Sequence, residues 1–568
     1  MSGTRSELAQ ALSACRNAFT GVALFSGAIN VLYLTGSFFM LEVYDRVLPS
    51  RSVPTLVGIA VLALVLYGFQ GVLDIVRSRV LLRIGRCLDE ALSQRVYRIF
   101  MRLPLVAPAA RGLQPLQDLD QVRSFMSSVG PAALFDLPWM PLYLGICFLF
   151  HPLIGLAATA GGLLLIVVTL LTEVFTRTPA REAAVLAGSC NVLAEASRRN
   201  AEAVQAMGMT NRMAGLWGES NGRYLAAHQR AADVTASLGG LSKVLRMMLQ
   251  SAVLGIGAWL VIHGQATAGI IIASSILTAR ALAPVELAVS QWRGFVAARQ
   301  SWRRLSDLLA KLPEEPARMA LPRPARSLAL ESVTVAPPGT PRIVVQDVVF
   351  GLQAGQGLGI IGPSASGKSS LARALVGVWP AARGRIRLDG AALDQWSAQS
   401  LGPHIGYLPQ DMELFAGSVA ENIARFEAQP ASERVIAAAK AAGVHELILG
   451  LPEGYETQIG EGGSVLSAGQ RQRIGLARAL YGDPFLVVLD EPNSSLDKEG
   501  DEALTRAILG VRARGGIAIV IAHRPSALAG VDTILVMRDG RQQAFGPKEM
   551  AQAPAAVSTP LRVAATAS

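Results

Sequence analysis

Six stretches of this chain are too long and too apolar to be left in water, and they constrain its fold more than any other feature. Neither Asn17–Leu41 nor Val53–Leu73 carries a charge. At 1.5 Å per residue, either run as a helix crosses a hydrocarbon core of about 30 Å. A third run, about 132–150, holds one acid, Asp136, and a fourth, 153–172, follows the turn at His151 and Pro152. The fifth, 247–262, turns through His263, Gly264 and Gln265 into the sixth, 268–289, which is interrupted by Arg280, Pro284 and Glu286. Six membrane helices are therefore expected, at about 17–41, 53–73, 132–150, 153–172, 247–262 and 268–289. The first sixteen residues are polar and lead into the first run without a small-residue cleavage pattern, so that run is expected to stay as an anchor.

The gaps between runs carry a second message. Those after runs one, three and five are short; those after runs two and four are about sixty to seventy residues, with a helical pattern. Nine arginines lie between Arg77 and Arg123, and nine Arg or Lys between Arg177 and Arg246, whereas the short gaps hold only Arg46 and Arg51. The positive-inside rule puts both long gaps and both termini in the cytoplasm. It also accounts for much of the net charge of +10, so the basic balance points to a membrane surface and not to nucleic acid. With 51% hydrophobic and 17% charged residues, the 568-residue chain is expected to join membrane spans to a soluble part. The cysteines Cys15, Cys87, Cys147 and Cys190 form no CxxC pair and read as small hydrophobes.

The sixth helix is expected to run on through Trp292 and Trp302 to about Leu312. Residues 313–325 then contain four prolines, which break any helix. This gives a membrane domain at 1–312, a linker at 313–326, a second domain at 327–550 and an Ala/Pro/Ser/Thr-rich tail at 551–568, expected to be disordered. In the second domain short β-rich runs alternate with helices, the pattern of an α/β fold.

That domain carries the chemistry. Gly362, Pro363, Ser364, Ala365, Ser366, Gly367, Lys368 and Ser369 fit GxxxxGK[ST], after the apolar strand 358–361 and before a helix that begins with Ser370. Glycines let backbone N–H groups and a helix N-terminus face a polyphosphate; Lys368 adds a cation, and Ser369 a hydroxyl for Mg²⁺. About 120 residues on, the strand Phe485–Leu489 ends in Asp490 and Glu491. Such an acid pair suits Mg²⁺ binding by Asp490 and polarisation of the attacking water by Glu491.

Leu466, Ser467, Ala468, Gly469 and Gln470 resemble the LSGGQ signature of ATP-binding cassette proteins. The resemblance covers roughly 327–548, with Gln410 matching the Q-loop glutamine, Asp497 the D-loop acid and His523 the switch histidine. It implies an α/β P-loop cassette fused to an all-α six-helix transmembrane domain of exporter type, using ATP and Mg²⁺. Glu491, His523 and Gln410 would be catalytic. Ser369, Gln410 and Asp490 would hold the metal. The family's cassettes stack head to tail, so Ser467, Ala468, Gly469, Gln470 and Asp497 of one protomer would complete the ATP site of its partner, most simply in a homodimer. Two departures stand out. Ala468 replaces the commoner glycine, and the stretch 334–339 lacks the family's adenine-stacking aromatic, removing a contact of roughly 1 kcal/mol. Modest nucleotide affinity and loose base selectivity are expected.

Fusion of the spans ahead of the cassette, and the exporter-like run Gly460–Gly463, suggest export. Coupling helices are expected at 116–125, in a groove near Gln410, and at 210–225, around Trp217. Asn30, Tyr44–Ser50, Asp118–Asp120, Arg280–Pro284 and Glu491–Ser494 look like the type I secretion exporters, specifically the protease-secretion ATPases. That resemblance implies a multi-pass protein of the bacterial inner membrane, surrounded by membrane lipid. It would move unfolded secreted protein with a periplasmic membrane-fusion protein and an outer-membrane channel as partners. With the first span at about residue 17, an N-terminal peptidase-like domain is not expected. A lipid or small-molecule exporter and a non-transporting cassette ATPase remain alternatives. Arg280 is expected to face a polar conduit or contact an acidic substrate, or else to pair with Glu286, and Asp45 is expected to pair with Arg46.

Overall fold

The computed structural model describes residues 7–107, 114–314, 318, 321–522 and 524–549. The chain divides into two compact units at Pro313/Glu314, with the short segment Leu103–Ala110 grouped with the second.

The first unit is helical: α1 (Glu7–Ala14), α2 (Arg16–Leu32), α3 (Leu34–Glu42), a π turn (Val43–Val47), α4 (Leu48–Ser50), α5 (Val53–Val106), α6 (Gln114–Met126), α7 (Gly130–Asp136), α8 (Met140–Phe150), α9 (Pro152–Arg199), α10 (Ala201–Ala206), α11 (Thr210–Ile262) and α12 (Ala268–Lys311). Six helical stretches among the described residues are long and apolar enough to cross a membrane. Several outrun any bilayer: the 54 residues of α5 extend roughly 80 Å. Its composition explains the division of labour along its length. Within residues 53–73 only Ala63 is buried, as expected of a surface meant for lipid. From Arg77 onward Leu81, Ile84, Leu88, Leu92, Val96 and Ile99 recur at helical spacing and pack with α1, α2, α6 and α12.

The acid inside the third run is compensated. Both oxygens of Asp136 accept from the Arg77 guanidinium at 3.0 Å, and one also accepts from Asn30 at 2.8 Å. Arg77 reaches Ser26 and Asp74 as well, and the Tyr143 hydroxyl donates to Asn30. A charge removed from water needs such partners, and here they come from three different membrane helices.

Other pairings differ from expectation. Asp45 does not pair with Arg46. The π turn aims its carboxylate at the first turn of α12, where it accepts from Gly269 N (2.9 Å) and from the Thr267 hydroxyl (2.6 Å). An anion at a helix N-terminus satisfies free N–H groups and the helix dipole. Arg46 instead lies 3.7 Å from Glu42, one turn back on its own helix. Glu286 pairs with Arg246 of α11 at 2.7 Å, which leaves Arg280 to stack on the Tyr33 ring, 4.4 Å from its centroid.

Both segments expected as coupling helices are helical. Residues 116–125 lie inside α6, whose Asp118 is buried and accepts from Ser301 (2.9 Å) and Arg304 (3.0 Å) of α12. Residues 210–225 are the opening turns of α11. Helices α9 and α11, on either side of α10, pack against each other. An amphipathic stripe is the same sequence signal whether a helix docks elsewhere or packs on its own neighbours.

The second unit is built on one sheet: β1 (Ser327–Val335), β2 (Val345–Gln353), β3 (Gly357–Ile361), β4 (Arg383–Leu388), β5 (Ala391–Ala392), β6 (Ile405–Leu408), β7 (Leu486–Asp490), β8 (Ile517–Ile521), β9 (Thr533–Arg538) and β10 (Arg541–Pro547), in the order β5-β4-β1-β2-β10-β9-β3-β8-β7-β6. Strands β9, β3, β8, β7 and β6 run parallel; β5, β4, β1 and β2 are antiparallel and join through one bridge, Arg541 to Gln346. In β7, Leu486 and Val488 enter one core and Val487 and Leu489 the other. Burial on both faces is why the sequence reads there as an unbroken apolar run. The linker's end is pinned by Asp389, whose carboxylate accepts from the N–H groups of Ala325, Arg326 and Ser327 at 2.7–2.8 Å.

Candidate nucleotide site

The site collects at the carboxyl ends of the parallel strands, where α/β sheets bind ligands. Strand β3 feeds the loop 362–367. Gly362 (φ +154°) and Gly367 (φ +91°) shape it. A Cβ would lie 2.1 Å from Met537 O at the first and 2.6 Å from Val344 O at the second, so neither position accepts a side chain. Pro363, Ser364 and Ala365 form the exposed crest, Ser366 and Lys368 are buried, and Ser369 and Ser370 are half-buried in the first turn of the helix Lys368–Leu375. The Lys368 ammonium folds into the loop and donates to the carbonyls of Gly362 (2.9 Å) and Pro363 (2.7 Å). Burial lowers its pKa, an effect opposed by the nearby Glu491 and Asp490 carboxylates.

Strand β7 delivers the acids. Asp490, 1% exposed, accepts from the Ser369 hydroxyl at 3.2 Å. Burial raises its pKa and outweighs the bond from Ser369. Glu491 follows in the left-handed region, φ +50°, which turns its carboxylate to accept from Gln410 Nε2 at 3.2 Å. Gln410 comes from the segment after β6, the strand beside β7. Residues far apart in sequence, 369 with 490 and 410 with 491, are therefore brought together as the motifs require. His523 lies outside the described residues.

The signature stands apart from this cluster within the protomer. Ser467 caps the helix Ala468–Leu480: its Oγ accepts from Gln470 N, and Gln470 Oε1 accepts from Ser467 N at 2.9 Å. Ala468 is exposed. A Cβ on Gly469 would sit 2.9 Å from Ser495 O, so the second glycine is the one sterically required. Asp497 caps the following helix through Gly500 N (2.9 Å) and pairs with Arg473 at 2.5 Å. Sequence reasoning passed over Gln472. Its amide donates to Glu491 O and Ser494 Oγ at 3.2 Å and accepts from Ser495 N at 3.0 Å. It ties the signature helix to the segment after the acids, and its place two residues beyond Gln470 was the available signal. Between β1 and β2 no aromatic is present, and the chain crosses under Gly367 through Val344.

This arrangement can cradle a polyphosphate on loop N–H groups, a helix N-terminus and an ammonium. It also sets a carboxylate where a water could be oriented.

Comparison with known proteins agrees with that geometry. Residues 345–494 match the ABC transporter family, and residues 19–284 match the ABC transporter transmembrane region. The type I secretion system ATP-binding protein PrsD of Rhizobium meliloti is 60% identical over 96% of this chain and 94% of its own length. The cyclolysin secretion/processing ATP-binding protein CyaB of Bordetella pertussis is 31% identical over 93% of this chain and 75% of its own. Among solved structures, a bacterial Atm1-family ABC exporter with ATP bound superposes with a TM-score of 0.80 at 22% identity, covering 95% of this chain and 96% of that one, a likeness of fold.

Proposed function

The chain belongs to the ABC transporters, among the ATP-binding proteins of type I secretion systems, and on that premise we propose that it exports unfolded polypeptide across the bacterial inner membrane. It is an ATPase coupled to transport. The observation that carries the reading is continuity: the six membrane-length helices and the nucleotide site lie on one chain, and the match to a secretion ATPase runs through both.

In this reading domains 1–312 and 327–550 are the membrane and cassette parts, joined by 313–326, with the cassette and both termini in the cytoplasm. Lys368 and the N–H groups of Gly362 and of 364–370 hold the ATP phosphates, with Pro363 shaping the loop. Ser369 and Asp490 offer two hard oxygens 3.2 Å apart, and the buried carboxylate of Asp490 gains most from a cation, so the pair fits Mg²⁺; Gln410 would add a third oxygen. Bound Mg²⁺ supplies charge neutralisation at the phosphates. Glu491 would orient and polarise water, and His523 is assigned as the switch histidine. Ser467, Ala468, Gly469, Gln470 and Asp497 act on the partner protomer's nucleotide, which makes the homodimer the working unit. A periplasmic membrane-fusion protein and an outer-membrane channel complete the path.

The test uses the full chain in nanodiscs. Glu491→Gln is expected to retain ATP binding and lose turnover by at least about a hundredfold; sustained hydrolysis refutes its role. Turnover of the unaltered chain is expected to rise with an unfolded polypeptide and not with lipid or small hydrophobic molecules. The opposite pattern refutes the cargo.

A further inference from the structure

The sixth membrane helix, α12, presents a different surface from the other five. Each of those exposes large apolar side chains, such as Leu24 (75%), Leu64 (73%) and Leu149 (84%). That is the surface lipid requires. Among the described residues α12 exposes none. Its buried face, with Ala273, Leu277, Ala281, Leu282 and Val285, packs inside the unit. Among the described residues of 269–292 its open positions are Arg280, Ala283 and Ser290. Arg280 lies twelve residues into a helix that begins at Ala268, so about 18 Å from its end and near mid-bilayer. No acid among the described residues pairs with it; Glu286, the nearest in sequence, is engaged by Arg246. Its guanidinium rests on the Tyr33 ring, 4.4 Å from the centroid, a contact that leaves its outward N–H donors unclaimed.

A guanidinium at this depth faces water or a carboxylate, not lipid. We infer that Arg280, held by Tyr33, lines the translocation path and forms a transient subsite for carboxylate side chains of the passing polypeptide. The inference rests on the polypeptide reading above and adds a substrate chemistry to it. A planar fork of donors suits carboxylates, and the other open positions, Ala283 and Ser290, carry small side chains.

The full-length protein in nanodiscs is titrated with two unfolded peptides of one sequence, one carrying four aspartates and the other asparagines in their place, while ATP turnover is followed. The aspartate peptide is expected to reach half-maximal stimulation at about tenfold lower concentration, the effect of one charge-assisted contact. Arg280→Gln is expected to abolish that difference and Arg280→Lys to keep part of it. A preference unchanged in Arg280→Gln overturns the assignment. A second arm does not depend on cargo. In a chain whose four cysteines are replaced by alanine, Arg280→Cys is expected to react with a membrane-impermeant sulfonate thiol reagent. An unreactive thiol, as under lipid or a partner copy, overturns the lining role. Stimulation by neither peptide, with the thiol reactive, refutes the polypeptide reading and the carboxylate subsite together, and leaves a water-filled path.

Discussion

Removing Asp136 tests whether the membrane unit is held by charge compensation across helices. The Arg77 side chain is 9% exposed and that of Asp136 10%, so Asp136→Leu strands a buried guanidinium and takes an acceptor from Asn30. Breaking a buried pair from one side costs about 3–5 kcal/mol. Asp74, which still meets Arg77 at 2.7 Å, argues for the lower end, about 3 kcal/mol. At roughly 2–4 °C per kcal/mol, the unfolding midpoint of the membrane unit should fall by about 6–12 °C. Replacing both partners, Arg77→Met with Asp136→Leu, removes the stranded charge and should recover the midpoint to within about 2 °C of the starting protein. The assay is tryptophan fluorescence during heating of the full chain in detergent, following the transition that added ADP does not shift. Trp139 is a local reporter, since a Cβ on Gly27 of α2 would lie 2.8 Å from its ring. A single variant within about 2 °C of the parent, or a double variant that loses the sum of two single losses, refutes the reasoning.

Gly469→Ala should push its methyl onto Ser495 O and lower ATP turnover at least about tenfold with nucleotide binding retained, as read by steady-state hydrolysis and fluorescent-nucleotide titration. Asp490→Asn should stabilise the nucleotide-free cassette at neutral pH. Burial raises the folded pKa of Asp490, so the folded state holds a proton longer than the unfolded one, and wild-type stability falls as pH rises through that folded value. The advantage of Asp490→Asn in a melting experiment with chelator should therefore shrink as pH drops toward the usual carboxylate range, and an advantage constant with pH would count against it. Asp45→Ala removes both acceptors at the first turn of α12 and should cost about 1–2 kcal/mol, visible as faster hydrogen exchange at 268–271 by mass spectrometry; Asp45→Asn should retain part of the protection.

Much of the candidate site is legible in sequence because its geometry is local. A loop such as 362–367 needs glycines at fixed offsets, a strand buried on both faces reads as an apolar run, and Ser467 and Gln470 form a cap within one turn. The helices of the membrane unit were legible for a similar reason: uncharged length alone commits Asn17–Leu41 and Val53–Leu73 to helix in lipid.

What sequence could not settle were choices among partners of equal chemistry. Arg280 had Glu286 six residues away, but about one and two-thirds turns of helix set their side chains on different sides, and Arg246 of α11 pairs with Glu286 instead. Asp45 had Arg46 beside it, but neighbours in a helix do not face each other, and the N-terminus of α12 offered unsatisfied N–H groups. Residues 116–125 had the stripe of a docking helix, yet Asp118 met Arg304, 186 positions away. Periodicity and composition, properties of the chain itself, thus determined that there are six membrane helices, an α/β cassette and a phosphate-binding loop. Only the tertiary structure decided which charge answers which, and so which side of α12 is left open, because ion pairs are chosen by distance in space and burial, and neither is written in the order of residues.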